Sequence, residues 1–355
     1  MLISEIKRNK PEKKIRKILL TGGSLSTIIR RGNYVVKYYN GSYSRGYEKL
    51  RKEIKYLNKL PTDIKPLFPK LISVEEKEGY LGYTMPFYHD FYTISDLIFS
   101  ERNIEDIWKI FLRSLKLADK LFYSSKIKKV PKNYIKKTHF SRIKSSLDFF
   151  NNSIDYKEIL AKKEIILNGE RLINLPFIIS MLKRNKEWRD FLTPKKLTLF
   201  HGNFHTDNIL VNKQKTLFID PRGEYFGSEE YDKAKMFIHF FLEYDEIHSN
   251  KFNLFKNKNI FRISMKDKRI QKRYFILQKK FIQHESKQWK NKKEFMLKIA
   301  SIGAIHALSF ASYHARKKNP NKKRVLAYYL GATKMFNNLI DPSKLNLKER
   351  AFNNN

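Results

Sequence analysis

The sequence predicts an α+β protein of two lobes, a small β-rich N-terminal lobe over 1–86 and a larger, mainly helical C-terminal lobe over 87–355. Three observations predict it. Short β-rich runs broken by turn residues cluster with a single amphipathic helix before Pro86. Long helical periodicities dominate after Thr93. A short β-rich passage from Leu197 to Asp220 interrupts them and carries the strongest motif in the chain. At 355 residues the chain is long enough for both lobes to bury a core.

In the first lobe, Ile18 to Leu20, Thr27 to Arg30 and Tyr34 to Tyr39 read as strands. They are separated by Gly22-Gly23-Ser24 and by Gly32-Asn33, a pair suited to a tight hairpin. Tyr47 to Leu60 sets Leu50, Ile54, Leu57 and Leu60 at helical spacing, and Pro61 closes the run. Lys70 to Val74 and Tyr80 to Met85 read as a second hairpin, turning at Lys77-Glu78-Gly79, and Pro86 to Tyr92 joins the lobes. Beyond it, Asn103 to Tyr123 is an amphipathic helix with Ile104, Ile107, Trp108, Phe111, Leu115 and Phe122 at helical intervals. Asn103 suits its N-cap, with Asp106 in place to bond back. Helical segments follow over Phe140 to Phe150 and Leu172 to Asn185, and from Tyr231 to about Leu339 the pattern is mostly helical.

The composition is that of a globular chain, 41% hydrophobic with charges spread throughout. Lys and Arg number 73 against 35 acidic residues, a formal charge of +38. That balance admits polyanionic partners: nucleotide, nucleic acid or an anionic membrane surface. The excess is mostly scattered Lys in a chain also rich in Ile, Asn, Phe and Tyr, the set an A/T-rich genome favours. It is read as compositional, so a nucleic-acid or membrane surface is not favoured. The apolar stretch Ile299 to Ala311, broken by Ser301, His306 and Ser309, reads as too short and polar for a transmembrane segment. Residues 1–17 lack the apolar core of a secretory signal. The absence of cysteine excludes disulfides and thiolate metal sites, and a cytoplasmic location is the default expectation.

The chemistry-bearing motif is His201-Gly-Asn-Phe-His-Thr-Asp-Asn-Ile-Leu210 followed by Phe218-Ile-Asp-Pro-Arg-Gly223. A loop spaced H-x-D-x-x-x-x-N, then a short hairpin and an Asp, is the catalytic and metal apparatus of kinases. His201 and Asn208 occupy the first and last places, Ile209 to Asn212 and Thr216 to Ile219 form the hairpin arms, and Asp220 ends it. Magnesium takes hard oxygen ligands, here an amide oxygen of Asn208 and a carboxylate oxygen of Asp220. In the first lobe, Tyr34-Val-Val-Lys37 resembles the strand whose Lys contacts the α- and β-phosphates, and Glu53 on the next helix suits its ion pair; a solvated helix glutamate is the plainer reading of Glu53. Gly22, Gly23 and Ser24 offer backbone N–H groups to phosphates, without the full G-x-G-x-x-G pattern. Met85 and Phe87 stand at the lobe junction, where adenine would bond hinge backbone groups; an interlobe linker fits them equally.

Over Leu199 to Gly223 the sequence resembles the aminoglycoside phosphotransferase and choline kinase superfamily, whose loop usually reads H-G-D-x-H-x-x-N-I-L. The Ile-Asp-Pro-Arg-Gly run resembles its bacterial phosphotransferase-like branch. The resemblance implies a protein-kinase-like fold, ATP and Mg²⁺ as cofactors, and a small-molecule hydroxyl acceptor such as a sugar, amino alcohol or glycan precursor. It further implies that Asp232 props the catalytic loop by bonding its backbone. Arg222 is left between orienting a substrate phosphate and pairing with Glu224. One position departs: the family's catalytic-base Asp is Asn203. A neutral amide can orient a hydroxyl but is a very poor base. His205 is then weighed as a proton acceptor or, as the favoured reading, as structural support, and Asp207 as a nearby carboxylate. The alternative is a pseudokinase-like nucleotide-binding or interaction protein. A metalloenzyme built on His201, His205 and Asp220 lacks the Glu of H-E-x-x-H and sits on a loop.

Overall fold

In the computed structural model, which describes residues 17–20, 26–41, 45–125, 127–289, 291–317, 319–340 and 351, the first strands alternate as their sequence demands. In Tyr34–Asn40, Val35 and Lys37 point inward while Tyr34 is exposed, the two-residue period of a half-buried strand. Lys17–Leu20, Thr27–Arg31, Tyr34–Asn40, Tyr80–Pro86 and Ser73–Lys77 lie in that order in one antiparallel sheet. Its tight turns place Gly32 at φ 60° and Gly79 at φ 69°, where a residue with a Cβ is strained. The helix Arg45–Lys59 buries Tyr47, Leu50, Glu53, Ile54 and Leu57 on one face and packs them on the strands Tyr34–Asn40 and Tyr80–Pro86.

The chain separates into two units, Met1–Phe91 and Tyr92–Asn355, a few residues beyond the boundary at 86 suggested by the sequence. The linker residues stay with the first unit because they bond to its first hairpin. The Phe87 amide donates to the Asn33 carbonyl at 2.7 Å. Arg30 lies 3.8 Å from the Phe87 ring centroid, and His89 Nε2 is 3.1 Å from Asn33 Oδ1.

In the second unit the helix Ile104–Ala118 starts where Asn103 caps it, but the cap accepts the Glu105 amide at 2.8 Å rather than working with Asp106. A wide turn, Asp119–Tyr123, extends it. The helix Lys292–Ala315 packs against Lys322–Ile340, Glu229–Phe241 and Ser141–Asn151. It is longer than the apolar stretch read from sequence and, among the described residues, is the one helix long and apolar enough to cross a membrane; 83% of its most apolar window is buried in the protein.

The second unit holds more β structure than the sequence suggested. Phe252–Asn257, Ile260–Met265, Glu164–Leu167 and Glu170–Ile173 form a four-stranded sheet in that order. The helix expected from Leu172 starts at Leu175, with Asn174 as its cap. Asn168 and Gly169, at φ 51° and 87°, make the turn between two of these strands. Asn-Gly between β-rich runs is a legible hairpin signal, and the helical spacing from Leu172 covers only the end of its second strand. The other hairpin turns through Lys258 at φ 50°, a residue type that gives no such signal.

Gly303 sits in the contact of Lys292–Ala315 with Lys322–Ile340 and Glu229–Phe241: a Cβ there would lie 2.9 Å from Met335 Cε and 3.6 Å from the Ala234 carbonyl oxygen. Gly303→Leu overfills that contact and should lower stability by about 1–3 kcal/mol, read as an earlier urea midpoint. An unchanged midpoint would show that this three-helix contact is not close-packed in solution.

Candidate active site

In the first unit, Lys37 and Glu53 are 2% and 1% exposed. Lys37 Nζ donates to both carboxylate oxygens of Glu53, at 2.8 and 2.7 Å. Tyr83 stands opposite Lys37 in the sheet register, and its hydroxyl donates to Glu53 Oε1 at 2.8 Å. Glu53 is therefore not a solvated helix glutamate. A buried ion pair gains little net stability over an apolar pair, because desolvation offsets the attraction. Its presence is better explained by a positioned ammonium than by folding. Met85 stands opposite Val35 in the sheet, and the Phe87 amide is committed to Asn33, which leaves the Phe87 carbonyl as its hinge-type group. Gly22, Gly23 and Ser24 lie outside the described residues.

In the second unit, the loop His201–Asn208 is held from below by Asp232, whose two carboxylate oxygens accept the amides of Gly202 and His201, each at 2.7 Å. Tyr123 adds a contact at 3.3 Å. Burial pushes the Asp232 carboxyl up to about 7, against the pull of these donors. Gly202 is at φ 74°, and a Cβ there would stand 2.6 Å from Arg222 Cβ, so only glycine fits. The Arg222 amide in turn donates to the His201 carbonyl at 2.9 Å.

The hairpin Ile209–Val211 with Thr216–Phe218 brings the two proposed ligand residues to one end. Ile209 pairs with Phe218, and the Ile219 amide donates to the Asn208 carbonyl at 3.0 Å. At the far end Arg113 ties down the turn, donating to the carbonyls of Lys213, Asn212 and Lys215 at 2.8, 2.7 and 3.2 Å. Nothing in its helical spacing marked Arg113 for that task.

Asn208 Nδ2 donates to the Asn203 carbonyl and meets His205 Nε2, both at 2.9 Å. Its hydrogens are thereby committed, and Oδ1 is the atom left for a ligand. Asp220, at φ 54° in the left-handed region, turns its carboxylate toward the loop. There Asn203 Nδ2 donates to Asp220 Oδ2 at 2.7 Å and lies 3.2 Å from the Asp220 carbonyl oxygen. Asn203 is thus tied to Asp220, a contact that spacing did not reveal. His205 accepts from Asn208, stacks on His239 at 4.2 Å, and lies 3.8 Å from Asp207. Burial, with Lys235 nearby, holds His205 well below its ordinary value; burial takes His201 down to about 4. Both are neutral near pH 7. Arg222 sits 2.9 Å from Glu224 and bonds the Tyr231 hydroxyl.

The donor set fits magnesium: one carboxylate and one amide oxygen whose nitrogen is engaged elsewhere. Two histidine-bearing clusters among the described residues fit a metal less well. In His205–Asp207–His239 the two imidazoles are stacked, 16° apart in plane, so their ring lone pairs run side by side rather than converging. In Asp119–His284–Glu285 the cation is Lys233, whose Nζ is 3.5 Å from Asp119 and 2.5 Å from Glu285. His201, His205 and Asp220 do not form such a group among the described residues.

No family model and no curated protein matches the sequence. Solved structures do. A choline kinase from Cryptosporidium parvum Iowa II is similar at a TM-score of 0.51 and 16% identity, over 97% of this chain and 95% of that one. A glucosamine kinase in complex with glucosamine, ADP and inorganic phosphate is similar at 0.50 and 10% identity, over 92% and 81%. The chain therefore has the α+β protein-kinase-like fold that these small-molecule kinases share.

Asn203→Asp replaces the amide that binds Asp220 with a second carboxylate at hydrogen-bond distance. Lost bonding and like-charge repulsion should destabilise the protein by about 1–3 kcal/mol in chelator. Millimolar Mg²⁺, which neutralises such a pair, should restore most of it. Identical melting of variant and wild type in chelator would contradict the tether.

Proposed function

We propose that this protein is an ATP- and Mg²⁺-dependent phosphotransferase acting on the hydroxyl of a small molecule. The observation that carries the reading is the ordered end of the hairpin, where Asn208 presents Oδ1 with its Nδ2 engaged, beside the carboxylate of Asp220. Asn208 and Asp220 are assigned to Mg²⁺, which would neutralise charge on the transferring phosphoryl group when bound. Lys37, steadied by Glu53 and Tyr83, is assigned to the α- and β-phosphates. Met85 and Phe87 are assigned to the adenine, and Gly22, Gly23 and Ser24 to the phosphates. His201 and His205 brace the loop as neutral imidazoles, His205 by accepting from Asn208. The acceptor oxygen forms the new bond to the γ-phosphorus as the bond to the β–γ bridging oxygen breaks, and the hydroxyl proton leaves to solvent. With Nδ2 on Asp220, Asn203 has Oδ1 left to orient that hydroxyl. Phosphoryl transfer depends mainly on positioning and electrostatics, so an orienting amide is compatible with turnover.

The same bond favours a second reading, a nucleotide-binding protein without transfer activity, because it turns the base position inward. Steady-state assays against sugars, amino alcohols and glycan precursors separate the two. Transfer to an acceptor that falls about 100- to 1,000-fold in Asp220→Ala is expected. Stabilisation by Mg·ATP with no transfer to any acceptor would overturn the first reading in favour of the second.

A further inference from the structure

Beside the loop, two guanidinium groups share one ring. Arg142, on Ser141–Asn151, and Arg222 lie 5.3 and 5.2 Å from the ring centroid of Tyr231. Arg222 has Glu224 at 2.9 Å as an ion pair. Among the described residues Arg142 has no carboxylate at salt-bridge distance. Both arginines are half-buried.

Two buried histidines face the same charges. His139 is 1% exposed, and neither of its ring nitrogens has a hydrogen-bond partner among the described residues. His306 is 2% exposed, stands edge-on to Tyr231 at 4.4 Å, and its Nε2 has none either. An unpartnered buried polar group costs about 1–3 kcal/mol and calls for an explanation. Burial lowers both rings, His139 to about 3, and the neighbouring cations push the same way: Arg142, Arg222 and Lys298 on His139, and Lys235, Arg142 and Arg222 on His306. Lys298 is offset by Glu230 at 3.2 Å, and Asp232 is committed to the loop amides. Glu224 pairs with Arg222 and also acts on Arg142, which bonds Tyr231, so what remains is a net positive site of two guanidinium groups and one carboxylate with neutral imidazoles.

We infer that Arg142, Arg222, His139 and His306 form a binding site for an oxyanion carried by the acceptor, so that the substrate is a hydroxyl compound already bearing a phosphate or carboxylate. A guanidinium fork matches either group in two-pronged fashion, and imidazole N–H groups add neutral donors. The site adjoins the loop: the Arg222 amide bonds the His201 carbonyl, and Arg222 Cβ closes on Gly202. An anionic acceptor also accounts for Asn203, because an amide beside Asp220 adds no charge to repel it. The word acceptor rests on the phosphotransferase reading; the anion site itself does not.

The test is calorimetric titration of the full chain, without nucleotide, with inorganic phosphate, with glucosamine 6-phosphate against glucosamine, and with glucuronate as the carboxylate source. The charged probes should bind and glucosamine should not. Arg142→Gln should weaken the charged probes about 10- to 100-fold, the value of a charge-assisted bond. Arg142→Lys keeps a cation over Tyr231 and loses only the fork; it should fold normally and weaken binding by about several-fold, which keeps the test decisive if Arg142→Gln does not fold. Charged and neutral probes binding alike, or undiminished binding by the variants, overturns the site. Arg142-dependent anion binding with no phosphate transfer to any acceptor upholds the site and removes the phosphotransferase reading. Transfer to a neutral acceptor with no Arg142 dependence does the reverse.

Discussion

Both oxygens of the Asp232 carboxylate are taken by backbone amides of a single loop, those of His201 and Gly202. Much of the site follows from that constraint. It fixes the His201 carbonyl, which receives the Arg222 amide and so ties the segment after Asp220 to the loop. It requires the left-handed backbone at Gly202 and leaves no room there for a side chain. A carboxylate so buried is costly to ionise, as its raised pKa records, and two charge-assisted amide bonds are what offset the cost. The hairpin clamped by Arg113 then carries Asn208 and Asp220 to the same end.

Within that frame the substitution at position 203 has a physical meaning. A carboxylate there would face Asp220 across 2.7 Å; an amide donates to it instead. The amide is a very poor base, and it supplies a tether. It also lowers the negative charge beside a cluster whose arginines and neutral histidines are arranged for an anion.

Spacing made some of this legible and not the rest. The Lys37–Glu53 pair could be read because an alternating strand with one inward Lys precedes a helix whose buried face includes Glu53. Asp232 could be expected only through the resemblance, which implies a loop-bracing Asp at the start of the helix after the motif. The Asn203–Asp220 bond was hidden, since it depends on a positive φ at an aspartate, which no residue pattern announces. Arg113 was hidden because its partners are carbonyls about a hundred residues away in sequence. Arg222 stood out in the motif, but its partner Arg142 was obscured by composition: among 73 basic residues, only its proximity to the same ring distinguishes it. The strands around Asn168-Gly169 carry a clear turn signal, and only Leu172 and Ile173 of the second fall within the apparent helical spacing.

The central claim is that the hairpin end is a metal–nucleotide site. Electron paramagnetic resonance of Mn²⁺, titrated into the protein with and without ATP, tests it most directly. Wild type should take up Mn²⁺ tightly only when ATP is present, and Asn208→Ala and Asp220→Asn should each weaken that uptake by at least a factor of about ten, on the order of 1.4 kcal/mol. Equal uptake by all three proteins, or uptake indifferent to ATP, would contradict the account.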